Sequence, residues 1–96
     1  MNNVVLTGRL THEPQKIEND KVIITLAVNR IYKNEEGCYE TDFIQCVLSG
    51  TVATSTFEYC RKGDLVGVKG RLENLNDTSQ IAVVADKVTF LTAAHS

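Results

Sequence analysis

The chain has 96 residues, of which 43% are hydrophobic and 23% are charged. This balance predicts one globular domain over residues 1–96 and excludes a disordered chain. Ten basic and twelve acidic side chains give a net charge of −2, which excludes the uniformly basic surface of a protein that coats duplex nucleic acid.

The first predicted strand covers residues 3–10, where Val4, Leu6 and Leu10 alternate onto one face. Gly8 lies inside this strand, and a glycine at such a position indicates a sharp bend. We therefore expect a half-buried strand with a change of direction near its middle.

Two predicted hairpins follow the first strand. Residues 21–30 alternate clearly between apolar and polar side chains, and a polar turn joins them to a short strand at 15–17. The next strand runs from about residue 39 to 49, after a long polar connection whose turn is at 34–37.

One aromatic side chain on this third long strand is predicted to point away from the core. Ile44, Cys46 and Leu48 share the core face, so Phe43 takes the opposite face. An outward phenylalanine indicates either a stacking surface or packing beneath a loop or another subunit.

Residues 51–61 change to helical spacing of their apolar side chains, which predicts the helix of this chain. Arg61 and Lys62 complement the negative end of that helix, and Gly63 suits the left-handed position that ends it.

Two more strands are predicted, at residues 65–72 and 80–91, with a polar turn at 74–79 between them. The complete order predicts an all-β fold, a five-stranded OB-fold barrel with one short helix between strands 3 and 4. An open α+β sheet has the same order of elements, so the pattern alone leaves both architectures open.

Targeting and metal-binding signals are absent from the sequence. No apolar run reaches the roughly 20 residues that span a bilayer, and the N-terminus lacks the features of a signal peptide. The cysteines at 38, 46 and 60 form no Cys-x-x-Cys pair and no zinc-type spacing with the two histidines. We expect a cytoplasmic protein with free thiols, no metal site, no cofactor and no membrane partner.

A set of segments carries a family resemblance through its order and intervals. The segments are residues 3–10 (NVVLTGRL), Pro14, 25–30 (TLAVNR), 41–44 (TDFI), 46–50 (CVLSG), 58–64 (EYCRKGD) and 70–72 (GRL). Together they resemble bacterial-type single-stranded DNA-binding proteins over nearly the whole chain. The resemblance implies an OB-fold core, usually a homotetramer, that binds single-stranded DNA with little sequence preference during replication, recombination or repair.

The resemblance also implies where bases stack. In that family one aromatic on the second-to-third-strand hairpin and another on the third strand stack on bases, and Tyr32 and Phe43 occupy these places. Ser49 replaces a third family aromatic, and Asp77 stands near the place of a fourth. We therefore expect weaker binding than in a member with all four aromatic side chains.

Four basic residues are the expected phosphate contacts. Arg30 and Lys33 flank Tyr32, which we expect in a loop, and Lys69 and Arg71 alternate on the outward face of the fourth strand. We expect all four cations to converge near the two aromatic rings. The alternative interpretation is that they are solvated side chains on exposed strand faces.

The two ends of the chain give expectations about its assembly and its partners. Val5 lies opposite Val4 and Leu6 and would be exposed in a monomer, so we expect a homotetramer, with a dimer as the alternative. The family usually continues through a flexible linker to an acidic tip, whereas this chain ends at Ser96. The chain is then a core fragment or a shortened paralogue, and we expect no partners that bind such a tail.

Two other classes of function are alternatives to DNA binding. The sequence has no nucleophile elbow and no glycine-rich phosphate loop after a strand, so we expect no catalytic residues and no enzyme. The stronger alternative is an OB-fold protein-interaction or assembly factor resembling a primosomal subunit, with weak DNA binding. Such a protein keeps the barrel and loses stacking residues, as this chain has.

Overall fold

The computed structural model describes residues 1–18, 20–75 and 79–92. Within these ranges it contains six strands and one helix. Their bounds are β1 (Val4–Leu10), β2 (Gln15–Ile17), β3 (Lys21–Lys33), β4 (Tyr39–Ser49), α1 (Gly50–Tyr59), β5 (Leu65–Asn74) and β6 (Ile81–Thr92). Because the short β2 is counted, the helix that was predicted between the third and fourth long strands lies between β4 and β5.

The strands form one sheet in the order β1-β5-β6-β4-β3-β2, and a further pairing of β1 with β3 closes it into a barrel. β1 serves both neighbours, since Val4 to Arg9 pair with β5 and Arg9 and Leu10 pair with β3. The opposite side is joined by a short parallel contact between β4 and β6. The predicted five-stranded OB-fold barrel is therefore confirmed, with β2 added at the edge of β3.

The interior is filled by the apolar residues that strand alternation assigned to it. The buried hydrophobic cluster is Leu10, Val22, Ile24, Leu26, Cys46, Leu48, Ala53, Cys60, Val66, Val68, Val83 and Ala85. α1 contacts β3, β4 and β6, and its Ala53 and Thr56 are buried. None of the described residues belongs to a helix long and apolar enough to cross a membrane.

The helix ends two residues before the predicted boundary. Tyr59 is its last residue, and Cys60 adopts an extended backbone while its side chain is buried in the core. Gly63 has the predicted positive φ of 93°, but it lies in the turn beyond the helix. Arg61 reaches back to the helix end, where its Nη1 donates to the Cys60 and Phe57 carbonyl oxygens at 2.8 and 3.3 Å.

Gly70 allows β5 and β6 to approach each other at an irregular point of their pairing. The register shifts between the Lys69 and Gly70 pairs, where Asp86 is the extra residue on β6. A Cβ atom on Gly70 would lie 2.1 Å from the Val84 carbonyl oxygen, a distance that backbone atoms cannot tolerate.

Replacing Gly70 with alanine is therefore expected to lower the free energy of unfolding by about 1–3 kcal/mol, the usual range for overpacking a well-filled interior. Gly67 on the same strand provides the control, because a Cβ there would meet its nearest atom at 3.8 Å. Gly67→Ala should change stability by no more than about 1 kcal/mol. Urea unfolding measures both, and equal stabilities of the two variants would contradict this account.

Candidate nucleic-acid interface

Phe43 lies on the outward face of β4, as predicted, and 69% of it is exposed. It pairs with Ala27 of β3, which in turn pairs with Arg9 of β1. Paired residues of neighbouring strands point to the same face of a sheet. Arg9, Ala27 and Phe43 therefore form one row across three strands on the outside of the barrel.

A concavity of about 490 Å³ opens beside the Phe43 ring, within the size range of small-molecule sites. It is lined by Thr7, Gly8, Arg9, Ala27, Asn29, Thr41, Phe43 and Leu65. Two of these residues, Gly8 and Ala27, have the smallest side chains. A Cβ on Gly8 would lie 2.6 Å from the Ala27 carbonyl oxygen, so the close approach of β1 to β3 requires glycine there.

Tyr32 lies on a strand instead of in the loop that was expected. β3 continues to Lys33, and its register with β4 shifts between Asn29 and Lys33. Tyr32 is 63% exposed on this projecting ribbon. The Lys33 ammonium lies 5.8 Å from the centre of the Tyr39 ring, its cross-strand partner. The hairpin thus presents Tyr32 to solvent while Lys33 covers a different aromatic ring.

Arg30 is held by two carboxylates. Its Nε and Nη2 donate to Asp42 at 3.0 and 2.9 Å, and its Nη1 donates to Glu40 at 2.6 Å. Neighbouring residues of a strand point to opposite faces, so Asp42 and its partner Arg30 lie on the face opposite Phe43. Of the two rings near which Arg30 was expected, it therefore does not share the face of Phe43, but it lies close enough to Tyr32 for an electrostatic interaction.

The Arg30 hydrogen bonds change the acidity of Asp42. They favour the ionised carboxylate and hold the pKa of Asp42 below its usual value, and the positive charge of Arg30 acts in the same direction. The same contacts raise the pKa of Arg30. The guanidinium is thus a permanent cation whose hydrogen-bonding fork is already engaged.

Arg71 has a similar environment on the other hairpin. Its Nε donates to Glu73 at 2.6 Å and its Nη1 donates to Asp86 at 2.7 Å, contacts that raise the pKa of Arg71. As predicted, Lys69 and Arg71 share the outward face of β5. The structure gives Arg71 two carboxylate neighbours that the sequence did not reveal.

Lys69 lies far from the Phe43 ring. It pairs with Val5 on β1, four residues along that strand from Arg9, so about 13 Å separates it from the Phe43 row. Lys87 is opposite Lys69 on β6, and across residues 1–18, 20–75 and 79–92 neither lysine forms an ion pair. Like charges directly opposite each other repel, so an anion is favoured between them.

Sequence reasoning missed Arg9, which the structure places in the Phe43 row. Alternation along the first strand already put Arg9 on the outward face with Val5, and this was the available signal. Its approach to Phe43 depends on the pairing of β1 with β3. Ser49, which the resemblance places at the position of a lost aromatic, is exposed at the start of α1, and Asp77 lies outside the described residues.

Two of the three cysteines, Cys46 and Cys60, offer little reactive chemistry in the folded protein, whereas Cys38 is exposed. All three are free thiols, and Cys46 and Cys60 are buried. Burial raises the pKa of Cys46 to about 12 and that of Cys60 to about 11, so neither is a thiolate at neutral pH. In the part of the chain that the structure describes, no three histidine, cysteine or acidic side chains are grouped to hold a metal ion.

Comparisons with known proteins agree on one family. The model of the single-strand binding protein family matches residues 1–91. The single-stranded DNA-binding protein of Bacillus cereus is 40% identical over 102 residues, which cover 95% of this chain and 60% of the relative. Single-stranded DNA-binding protein B of Bacillus subtilis is 38% identical and covers 94% of this chain and 89% of the relative. The chain spans about three fifths of the length of several curated relatives.

Two solved structures share the fold. A small single-stranded DNA-binding protein from Streptomyces coelicolor superposes with a TM-score of 0.72 at 23% identity, covering 94% of both chains. The Plasmodium falciparum protein solved in complex with single-stranded DNA has a TM-score of 0.75 at 24% identity, covering 95% of both chains. These similarities support the barrel architecture described above.

The Arg30–Asp42 pair predicts a defined acid titration. Because the folded-state pKa of Asp42 is lowered, its stabilising contribution is present above the usual aspartate pKa of about 3.9 and is lost as pH falls through the lowered value. Arg30→Gln should return the pKa of Asp42 towards its usual value, as followed by the NMR shift of its carboxyl carbon. Arg71→Gln, the control, should leave that titration unchanged. If the pKa of Asp42 is the same in Arg30→Gln as in the parent protein, the assignment of this pair is wrong.

Proposed function

The chain belongs to the single-strand binding protein family, and from this membership we propose that it binds single-stranded DNA with little sequence preference. It protects exposed strands during replication, recombination or repair. The observation that carries the proposal is the Phe43 ring, exposed on the outer sheet face beside a concavity whose lining includes Gly8 and Ala27. Stacking on an aromatic ring suits any base, because every base has a π-face.

The proposed site uses the sequence-predicted residues unequally. Phe43 and Tyr32 are the stacking platforms, and their exposures of 69% and 63% support this assignment. Lys33 and Lys69 supply positive charge to the phosphates. Arg30 and Arg71 contribute less, since a phosphate must compete with two carboxylates at each of them.

A protein with a net charge of −2 can hold a polyanion only through local cations. Internal ion pairs engage Arg30 and Arg71, and the stacking position at Ser49 lacks a ring. Both features point to weaker binding than in a family member with four aromatic platforms. We propose a cytoplasmic binding protein and not an enzyme, and the three free thiols suit a reducing compartment.

The proposed assembly is a homotetramer, with a dimer as the alternative. β1 pairs with β5 along Val4 to Arg9, but it pairs with β3 only at Arg9 and Leu10. One edge of β1 from residue 4 to 8 therefore lacks a strand neighbour in the described chain, and Val5 there is 75% exposed. An unpaired apolar edge favours strand addition by another subunit.

Removing either stacking ring should weaken binding to oligo-dT. Phe43→Ala and Tyr32→Ala should each cost roughly 1–3 kcal/mol, the usual contribution of one stacked base, as measured by fluorescence anisotropy of a labelled oligonucleotide. Tyr59→Ala is the matched control, because Tyr59 is also 63% exposed but lies at the end of α1. Duplex of the same length should bind much less well than single strand.

Two outcomes of that titration would reject parts of the proposal. If the parent protein does not bind oligo-dT, the function is wrong and the protein-interaction alternative is favoured. If the parent binds and both alanine variants bind equally well, the assignment of the two rings is wrong.

The assembly proposal is tested by light scattering across a range of protein concentrations. We expect the mass of four chains, or of two, and a shift towards smaller species for Val5→Lys, because a charge at the β1 edge opposes strand addition. Tyr59→Lys is the control, because it adds the same charge at an exposed position at the end of α1 and should leave the mass unchanged. A concentration-independent mass of 10.6 kDa for the parent would reject oligomerisation.

A further inference from the structure

Arg9 differs from the other three arginines in its surroundings. Arg30, Arg61 and Arg71 each have a carboxylate oxygen within 4 Å of the guanidinium. Among the residues that the structure describes, Arg9 has no such partner. Its Nη1 donates to the Gly63 carbonyl oxygen at 3.0 Å. A guanidinium has five N–H donors, so this bond positions the group and leaves most of its fork available to an anion.

The position of Arg9 relative to Phe43 is fixed by strand pairing. Both residues pair with Ala27, one from each side, so their backbones are about 10 Å apart across the sheet. Ala27 has a short side chain, and a trough therefore runs between a long cationic side chain and an exposed aromatic ring. One nucleotide bridges such a trough when its base and its phosphate take opposite sides.

The trough continues along β3 and β4, where its polar residues lie next to Ala27 and Phe43. Thr41 and Asn29 are a cross-strand pair, and the Thr41 hydroxyl donates to the Asn29 side-chain oxygen at 2.7 Å. This bond leaves the Asn29 amide N–H groups as donors towards a ligand. In the described chain, none of the carboxylate-bearing residues lines this concavity.

We propose that Arg9, Ala27 and Phe43 form a subsite for a single nucleotide, in which the base stacks on Phe43 above Ala27 and the phosphate pairs with Arg9. The inference rests on the proposed single-strand binding and adds Arg9 as a phosphate-binding residue. Arg9 is the better phosphate ligand than Arg30 or Arg71, because it has no carboxylate to exchange.

Arg9→Gln tests the phosphate contact by removing one charge. Binding to oligo-dT should weaken about tenfold at low salt, the scale of one charge-assisted hydrogen bond. The slope of log affinity against log salt should fall by about 0.7, the value for one neutralised phosphate of a single strand. Arg9→Lys keeps the charge and should retain the slope. Lys62→Gln removes the same charge from an exposed position beyond α1 and should leave the affinity nearly unchanged.

Ala27→Leu tests the trough without altering charge. The larger side chain occupies the space between Arg9 and Phe43, so affinity should fall at least fivefold while the salt slope changes little. Arg9→Gln combined with Phe43→Ala should weaken binding by less than the product of the two single effects, because both residues hold the same nucleotide. Thermal unfolding and light scattering of each variant confirm the parent fold and assembly.

The possible results separate this inference from the proposed function. If Phe43→Ala weakens binding while Arg9→Gln retains the parent affinity and salt slope, the subsite is wrong and the general function stands. If the parent does not bind oligo-dT, both fail. If Arg9→Gln does not fold, the affinity of Ala27→Leu for oligo-dT tests the subsite instead. An affinity equal to that of the parent would reject the subsite.

Discussion

The close approach of β1 to β3 at Gly8 connects the barrel to its outer surface. The absence of a side chain at Gly8 lets the two backbones meet, and from Arg9 onwards β1 pairs with β3, while Arg9 itself still pairs with β5. This pairing closes the sheet and also sets Arg9 in line with Ala27 and Phe43. A side chain at Gly8 would push the two strands apart, so the same contact determines both the interior and the geometry of the exposed ring.

Five basic residues of the sheet fall into two groups according to whether a carboxylate lies beside them. Arg30 and Arg71 stiffen their hairpins through carboxylates on the same or the adjacent strand, with N···O distances of 2.6–3.0 Å. Arg9, Lys69 and Lys87 have no such partners in residues 1–18, 20–75 and 79–92 and leave positive potential on the outward face of β1, β5 and β6. An acidic chain can thus stabilise its projecting ribbons and still present local attraction to phosphate.

Much of the fold was predictable because half-buried strands carry a period of two, which also gave the outward direction of Phe43. The end of α1 could not be predicted from the sequence, because Cys60 leaves the helix and buries its thiol in the core. That preference depends on the tertiary structure. The carboxylate partners of Arg30 depend on the β3–β4 register, which shifts near the hairpin end. The role of Arg9 depends on a pairing between distant segments, and alternation within one strand cannot reveal the neighbouring strand.

The parallel contact between β4 and β6 has only two residue pairs, Cys46 with Val83 and Val47 with Val84. Its partners are separated in the chain by α1 and β5, so forming it requires closure of a long loop, whereas the β3–β4 and β5–β6 hairpins join neighbouring segments. Contacts between distant segments form more slowly than local ones. Folding of this barrel is therefore expected to begin in the two long hairpins and to finish with the pairings of distant segments, the short parallel seam and the pairing of β1 with β5.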